Sequence, residues 1–142
     1  MKKKIAELRV KTRVFFQTTA TFISNMFRNK LDLTAEECEV SAYIWSVLGW
    51  CKTATRYGES GLKKTCCIGR LRASLCMSIA LSQLRLNDKT LANTSYEIAR
   101  IILKSQNWDD TQAISNAKKN KKRYEQALGR ISDLDDERIT EH

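Results

Sequence analysis

A chain of 142 residues with 42% hydrophobic and 29% charged residues has single-domain length and enough apolar content for one core, which excludes disorder over its whole length. With no proline and only five glycines, it lacks the turn residues on which an all-β fold of this size draws, so a few long helices are expected. The formal net charge of +9 favours an anionic partner (nucleic acid, an acidic protein or a membrane surface) and says nothing about the fold.

The first predicted helix covers 3–29. Ile5, Leu8, Thr12, Phe15, Thr19, Phe22 and Met26 recur at heptad-like spacing, and Phe16, Ile23 and Phe27 widen the stripe. The basic start is not read as a signal peptide, because Arg9, Lys11 and Arg13 interrupt the apolar run. An organellar presequence fits the composition somewhat better, but a bundle helix fits it too. A break is expected over Asn29–Leu33.

Thr34 and Glu37 form a capping box that opens the second helix. Its inner face is read as Val40, Ile44, Val47, Cys51 and Ala54, and its end as a loop over Tyr57–Gly61. The third helix, about 61–86, is apolar nearly all round through Cys66, Cys67, Ile68, Leu71, Leu75, Cys76, Met77, Ile79, Leu81 and Leu84. Such a helix lies at the centre of a bundle.

Asn87-Asp88 caps a fourth helix, about 88–106, with Leu91, Ile98, Ile101, Ile102 and Ser105 facing inward. A break over Asn107–Asp110, with Asp109 or Asp110 as cap, precedes a fifth helix, about 110–131. Ile114, Ala117, Lys121, Tyr124, Leu128 and Ile131 form its inner face, with Lys121 snorkelling. The last eleven residues carry five acids and only Arg138 among the bases. The expected fold is therefore all-α: an antiparallel bundle of four to five helices over 1–131, with a disordered acidic C-terminal tail over 132–142.

Catalytic chemistry is not visible. The single histidine is His142, so a Ser–His–Asp or Cys–His arrangement has nothing to build on. The five cysteines (Cys38, Cys51, Cys66, Cys67, Cys76) match neither a disulfide framework nor paired zinc spacing, since Cys66 and Cys67 on a helix point about 100° apart. They read as core thiols in a reducing, cytoplasmic setting. No glycine-rich phosphate loop occurs, and the pairs Glu36-Glu37 and Asp109-Asp110 suit helix starts. No catalytic, cofactor-binding or metal-ligating residue is assigned, and no apolar run approaches the roughly 20 residues of a membrane span.

The basic residues fall into three groups. Lys2, Lys3, Lys4, Arg9, Lys11 and Arg13 form the first. Lys52, Arg56, Lys63, Lys64, Arg70 and Arg72 form the second. Lys118, Lys119, Lys121, Lys122 and Arg123 form the third, which spans about half the circumference of a helix. Any one such run suits a solvated helix face. Three groups of one sign fit contacts to the phosphate backbone of RNA or DNA, which release counterions and carry little sequence information. Trp45 lies off the main stripe of its helix, and either covers a neighbouring helix or marks a subunit interface.

The stretch Leu71–Trp108 resembles the four-helix-bundle accessory proteins of diversity-generating retroelement reverse transcriptases. The likeness rests on Leu71-Arg72 in a long apolar helix, then Glu97-Ile98-Ala99-Arg100, then Trp108. It implies a small, basic, oligomeric helical protein associated with a transcriptase and nucleic acid. The fifth helix and the acidic end depart from the family's four-helix pattern. The expectation is a non-enzymatic accessory subunit that binds nucleic-acid backbone and a protein partner, compatible with a homo-oligomer. The alternatives are a phage or mobile-element regulator acting through protein contacts alone, and a peripheral membrane protein held by its basic first helix.

Overall fold

The structure is a computed structural model that describes residues 2–64, 69–105 and 111–140, without the side chains of 11, 14 and 132–140. Six α-helices follow in order: α1 (Lys2–Met26), α2 (Ala35–Leu48), α3 (Cys51–Leu62), α4 (Gly69–Arg85), α5 (Lys89–Ser105) and α6 (Gln112–Thr140). A short 3-10 turn, Lys30–Asp32, joins α1 to α2. There is no strand among the described residues.

The predicted capping box is present at the start of α2. The Glu37 N–H donates to Thr34 Oγ1 at 3.1 Å, and the Thr34 N–H donates to Glu37 Oε1 at 3.0 Å. The Thr34 N–H, and then the Arg28 guanidinium ion-paired to Glu37, hold this carboxyl below its ordinary range. The predicted break at Asn87-Asp88 is also found. Asn87 takes a left-handed φ of 66°, and Asp88 Oδ1 accepts from the Leu91 N–H at 3.3 Å.

The helix count corrects the expected four to five. The predicted second helix is two helices, α2 and α3, folded back on each other at Gly49, whose φ of 84° is open to glycine at little cost. Tyr57–Gly61, read as a loop, is part of α3. Its glycines permit close packing on α4. A Cβ on Gly58 would stand 2.5 Å from Ile79 Cγ1, and one on Gly61 would stand 2.8 Å from Leu75 Cδ1 and 2.9 Å from Cys38 Cβ.

α4 occupies the centre, as its all-round apolar character predicts, and packs on α2, α3, α5 and α6. Residues 73–82 are buried without interruption. On the α2–α3 side, Leu75 joins Leu33, Ala35, Cys38, Ala42 and Tyr57; on the other side, Ala80, Leu81 and Leu84 join Ala92 and Tyr124. Burial pushes the Cys38 and Cys76 thiols up. Cys66 and Cys67, the break over Asn107–Asp110 and Trp108 lie outside the described residues.

Two predicted faces are rotated. α5 buries Ala92 and Ala99, while Leu91 and Ile101 are exposed. Small side chains let its backbone approach α4 more closely than Leu or Ile would allow. α2 buries Ala35, Cys38, Glu39, Ser41, Ala42 and Ser46, with Val40 and Ile44 only partly covered and Val47 exposed.

α1 departs furthest from expectation. It rests on α2 through Phe22, the one aromatic of its stripe that is partly covered, and through Asn25, which is fully buried and whose amide donates to the Glu37 carbonyl at 2.9 Å and to Ser41 Oγ at 2.7 Å. Phe15, Phe16, Ile23, Met26 and Phe27 (86% exposed) are left outside the core to which the heptad spacing assigned them. Finally, α6 runs through residue 131 to Thr140, so no helix end coincides with the start of the acidic segment. The nearest residue that disfavours helix is Gly129, and around it nothing crowds the chain.

Candidate anion-binding surface

The three basic groups do not merge into one patch. In the first, Lys2, Lys3, Lys4, Arg9 and Arg13 are exposed along the outer half of α1. The Lys11 side chain lies outside the described set.

The second group is divided by the antiparallel path of α3 and α4. Lys63, Arg70 and Arg72 lie toward one end, and Lys52 at the other, separated along α3 by about 16 Å at 1.5 Å per residue. Arg56 is exposed between them. Lys64 serves the fold, because its Nζ donates to the Leu31 carbonyl at 2.9 Å and to the Lys30 carbonyl at 3.5 Å.

In the third group, Lys118 and Lys122 are exposed on the outer face of α6, and Lys119 is exposed at a groove shared with Phe22 of α1 and Tyr43 of α2. Lys121 is half-buried and ion-paired to Glu125 at 3.0 Å, as snorkelling predicts. Arg123 turns toward α2, with its guanidinium carbon 5.8 Å from the Tyr43 ring centre. Among the described side chains of all three groups, Lys121 alone pairs with a carboxylate.

The tertiary structure assembles a different cationic grouping. One depression of about 440 Å³ is lined by Leu84, Arg85, Arg123, Gln126, Ala127, Arg130 and Ile131. A second, of about 560 Å³, lies at the α2–α3 corner beside Trp50 and Lys52 and shares Arg85 with the first. Arg85 and Arg130 escaped the sequence reading, because the first ends a helix read as core and the second stands alone beyond a lysine run. The spacing from Arg123 to Arg130, seven residues or about two helical turns, was an available signal.

A buried polar seam sets these arginines. Asn120 Nδ2 donates to Ser78 Oγ at 3.0 Å and to Ser46 Oγ at 3.3 Å, while its Oδ1 accepts from Arg123 Nη1 at 3.0 Å. Ser46 donates its hydroxyl to the Tyr43 carbonyl, and its own carbonyl accepts from Arg85 Nη1 at 2.6 Å. Both guanidinium groups are thus held by neutral oxygens, which fix their position without cancelling their charge.

Two turns N-terminal along the seam, Glu39 is 3% exposed, and its Oε1 accepts from Ser74 Oγ and Asn116 Nδ2, each at 2.7 Å. Burial pushes the Glu39 carboxyl up, against the pull of those two donors. Ser74, Ser78 and Ser82 on α4, and Asn116 and Asn120 on α6, recur every four residues, a spacing that sequence reading passed over in favour of apolar periodicity.

Trp45 is half-buried. Its ring meets Phe22 of α1 at 5.1 Å and Trp50 at 5.5 Å, so it covers a neighbouring helix. Among the described residues no helix is long and apolar enough to cross a membrane, and no three His, Cys, Asp or Glu side chains gather as a metal set. Comparison with family models, with curated proteins and with solved structures gives no match.

Proposed function

We propose that this chain is a non-enzymatic accessory protein that binds the phosphate backbone of RNA or DNA within a larger complex, of the kind the retroelement accessory proteins serve. The observation carrying this reading is the excess of exposed cations with no carboxylate partner among the described residues, along the outer half of α1 and the outer face of α6. Such cations gain by releasing the counterions condensed on a polyanion, an effect indifferent to base sequence. A fluorescent RNA and a fluorescent DNA titrated at two salt concentrations test it. Affinity should fall steeply with salt for both, and failure to bind at low salt overturns the reading.

A second reading is favoured by the apolar side of α1. Ile5, Leu8, Phe15, Phe16 and Ile23 are exposed along one continuous helix, with Phe27 exposed just past its end, a face that suits a protein partner. On this reading the chain is a regulator acting through protein contact, and its complex survives nuclease and high salt. Loss of the complex under either treatment counts against it. Co-sedimentation with anionic vesicles would instead assign the same face to a lipid surface.

A further inference from the structure

The depression between the end of α4 and the middle of α6 has the composition of an anion pocket. Arg85, Arg123 and Arg130 line it, and among the described side chains no acidic residue does. Three arginines lining one concavity place like charges near one another, a repulsion that a bound anion relieves. Arg85 and Arg123 each spend one Nη1 donor on a neutral oxygen, Ser46 O and Asn120 Oδ1. A guanidinium carries five N–H donors in a fixed plane, so each keeps a fork for a second acceptor. Arg130 is exposed at the rim, and Gln126 adds an amide.

We propose that this depression is a pocket for a phosphate monoester. Charge matching separates it from the diffuse backbone binding proposed above. A backbone diester carries one negative charge, whereas a terminal phosphate carries between one and a half and two near neutral pH, as about −1.5 to −2 for phosphorylated side chains indicates. Three arginines lining one cavity match the more highly charged group, and forked donors suit its several equivalent oxygens. Leu84, Ala127 and Ile131 supply an apolar wall beside the arginines, against which the sugar or base of a nucleotide can rest. The shared ligand chemistry is a 5′-phosphate, borne by an oligonucleotide end or by a free nucleotide.

The test uses the full chain in low salt. The probes are one oligonucleotide with a 5′-phosphate, the same oligonucleotide with a 5′-hydroxyl, and a nucleoside 5′-monophosphate, each titrated by calorimetry. The phosphorylated end should bind about tenfold more tightly than the hydroxyl end, the scale set by losing charge-assisted hydrogen bonds. Arg130→Gln and Arg123→Gln should each shrink that ratio. Arg130 makes no hydrogen bond or ion pair among the described residues, so its variant keeps the test meaningful if Arg123→Gln perturbs folding. Binding of the mononucleotide in the wild type and its loss in Arg130→Gln assigns the pocket to free nucleotides as well.

The inference rests on the nucleic-acid reading only for the oligonucleotide arm. Oligonucleotides that bind equally with and without the 5′-phosphate overturn the pocket and leave backbone binding standing. Oligonucleotides that both fail to bind, with mononucleotide binding that depends on Arg130, overturn backbone binding and leave the pocket standing.

Discussion

Asn120 on α6 and Ser78 on α4 meet inside the bundle, the amide donating to the hydroxyl at 3.0 Å, with both residues fully buried. The same amide reaches Ser46 on α2, so one side chain ties three helices together and also holds Arg123 at the surface. Replacing it with alanine strands the Ser78 hydroxyl, leaves Ser46 with its bond to the Tyr43 carbonyl alone, and frees the arginine. Asn120→Ala should cost about 1–3 kcal/mol, the penalty of leaving buried polar groups unpaired. Urea unfolding followed by circular dichroism measures it, and an unchanged midpoint would show that the seam contributes nothing.

Glu39 makes stability depend on pH in a direction opposite to that of most carboxylates. Burial raises its folded pKa above the unfolded value. Between the two values the folded state holds the extra proton, so stability is full below the unfolded pKa and declines as pH rises toward the folded one. Glu37, whose pKa is lowered first by the Thr34 N–H, acts in reverse and loses its contribution as pH falls. Glu39→Gln keeps an acceptor for Ser74 and Asn116 and removes the titration. Thermal midpoints measured from pH 4 upward (about the ordinary carboxylate pKa and above) should decline less with pH in the variant than in the wild type.

Gly58 is required by contact and Gly49 by conformation. Gly58→Ala drives a methyl into Ile79 and should cost about 1–3 kcal/mol by overpacking. Ile79→Ala opens space at the same place, so the double variant should lose less than the sum of the two single losses. Strict additivity in the double-mutant cycle would refute the contact. Gly49→Ala meets no neighbour and should cost about 1–2 kcal/mol through its left-handed φ alone, with no rescue by Ile79→Ala.

The outer end of α1 should be separable from the stability of the bundle. Ile5 and Leu8 are exposed, and so are Lys2, Lys3, Lys4 and Arg9. Deleting residues 2–9 should leave the urea midpoint unchanged while flattening the dependence of nucleic-acid affinity on salt, by roughly one unit of slope for each phosphate no longer neutralised. A lowered midpoint would mean that this segment packs on the bundle.

Much of the architecture was legible because its signals are local. The Thr34–Glu37 capping box, the Asn87-Asp88 break and the all-round apolar α4 each depend on residues a few positions apart, and the structure contains all three. The cationic surface was legible only as three runs. Sequence order could not show that Arg85, from the end of α4, stands beside Arg123 and Arg130 of α6, nor that Lys64 is spent on backbone carbonyls.

The sequence by itself determined the class of fold, the central place of α4 and the excess of positive charge, because helical period, capping and net charge are properties of the chain. The tertiary structure decided which face of each helix is buried and which cations converge. Hydrophobicity ranks Leu91 and Ile101 above Ala92 and Ala99, but the spacing between α4 and α5 selects the alanines. In the same way, Gly58 and Gly61 turn nothing and instead set the approach of α3 to Leu75 and Ile79. Where helices pack this closely, the distance between backbones rather than side-chain hydrophobicity chooses the face, and that distance is settled only when all partners are in place.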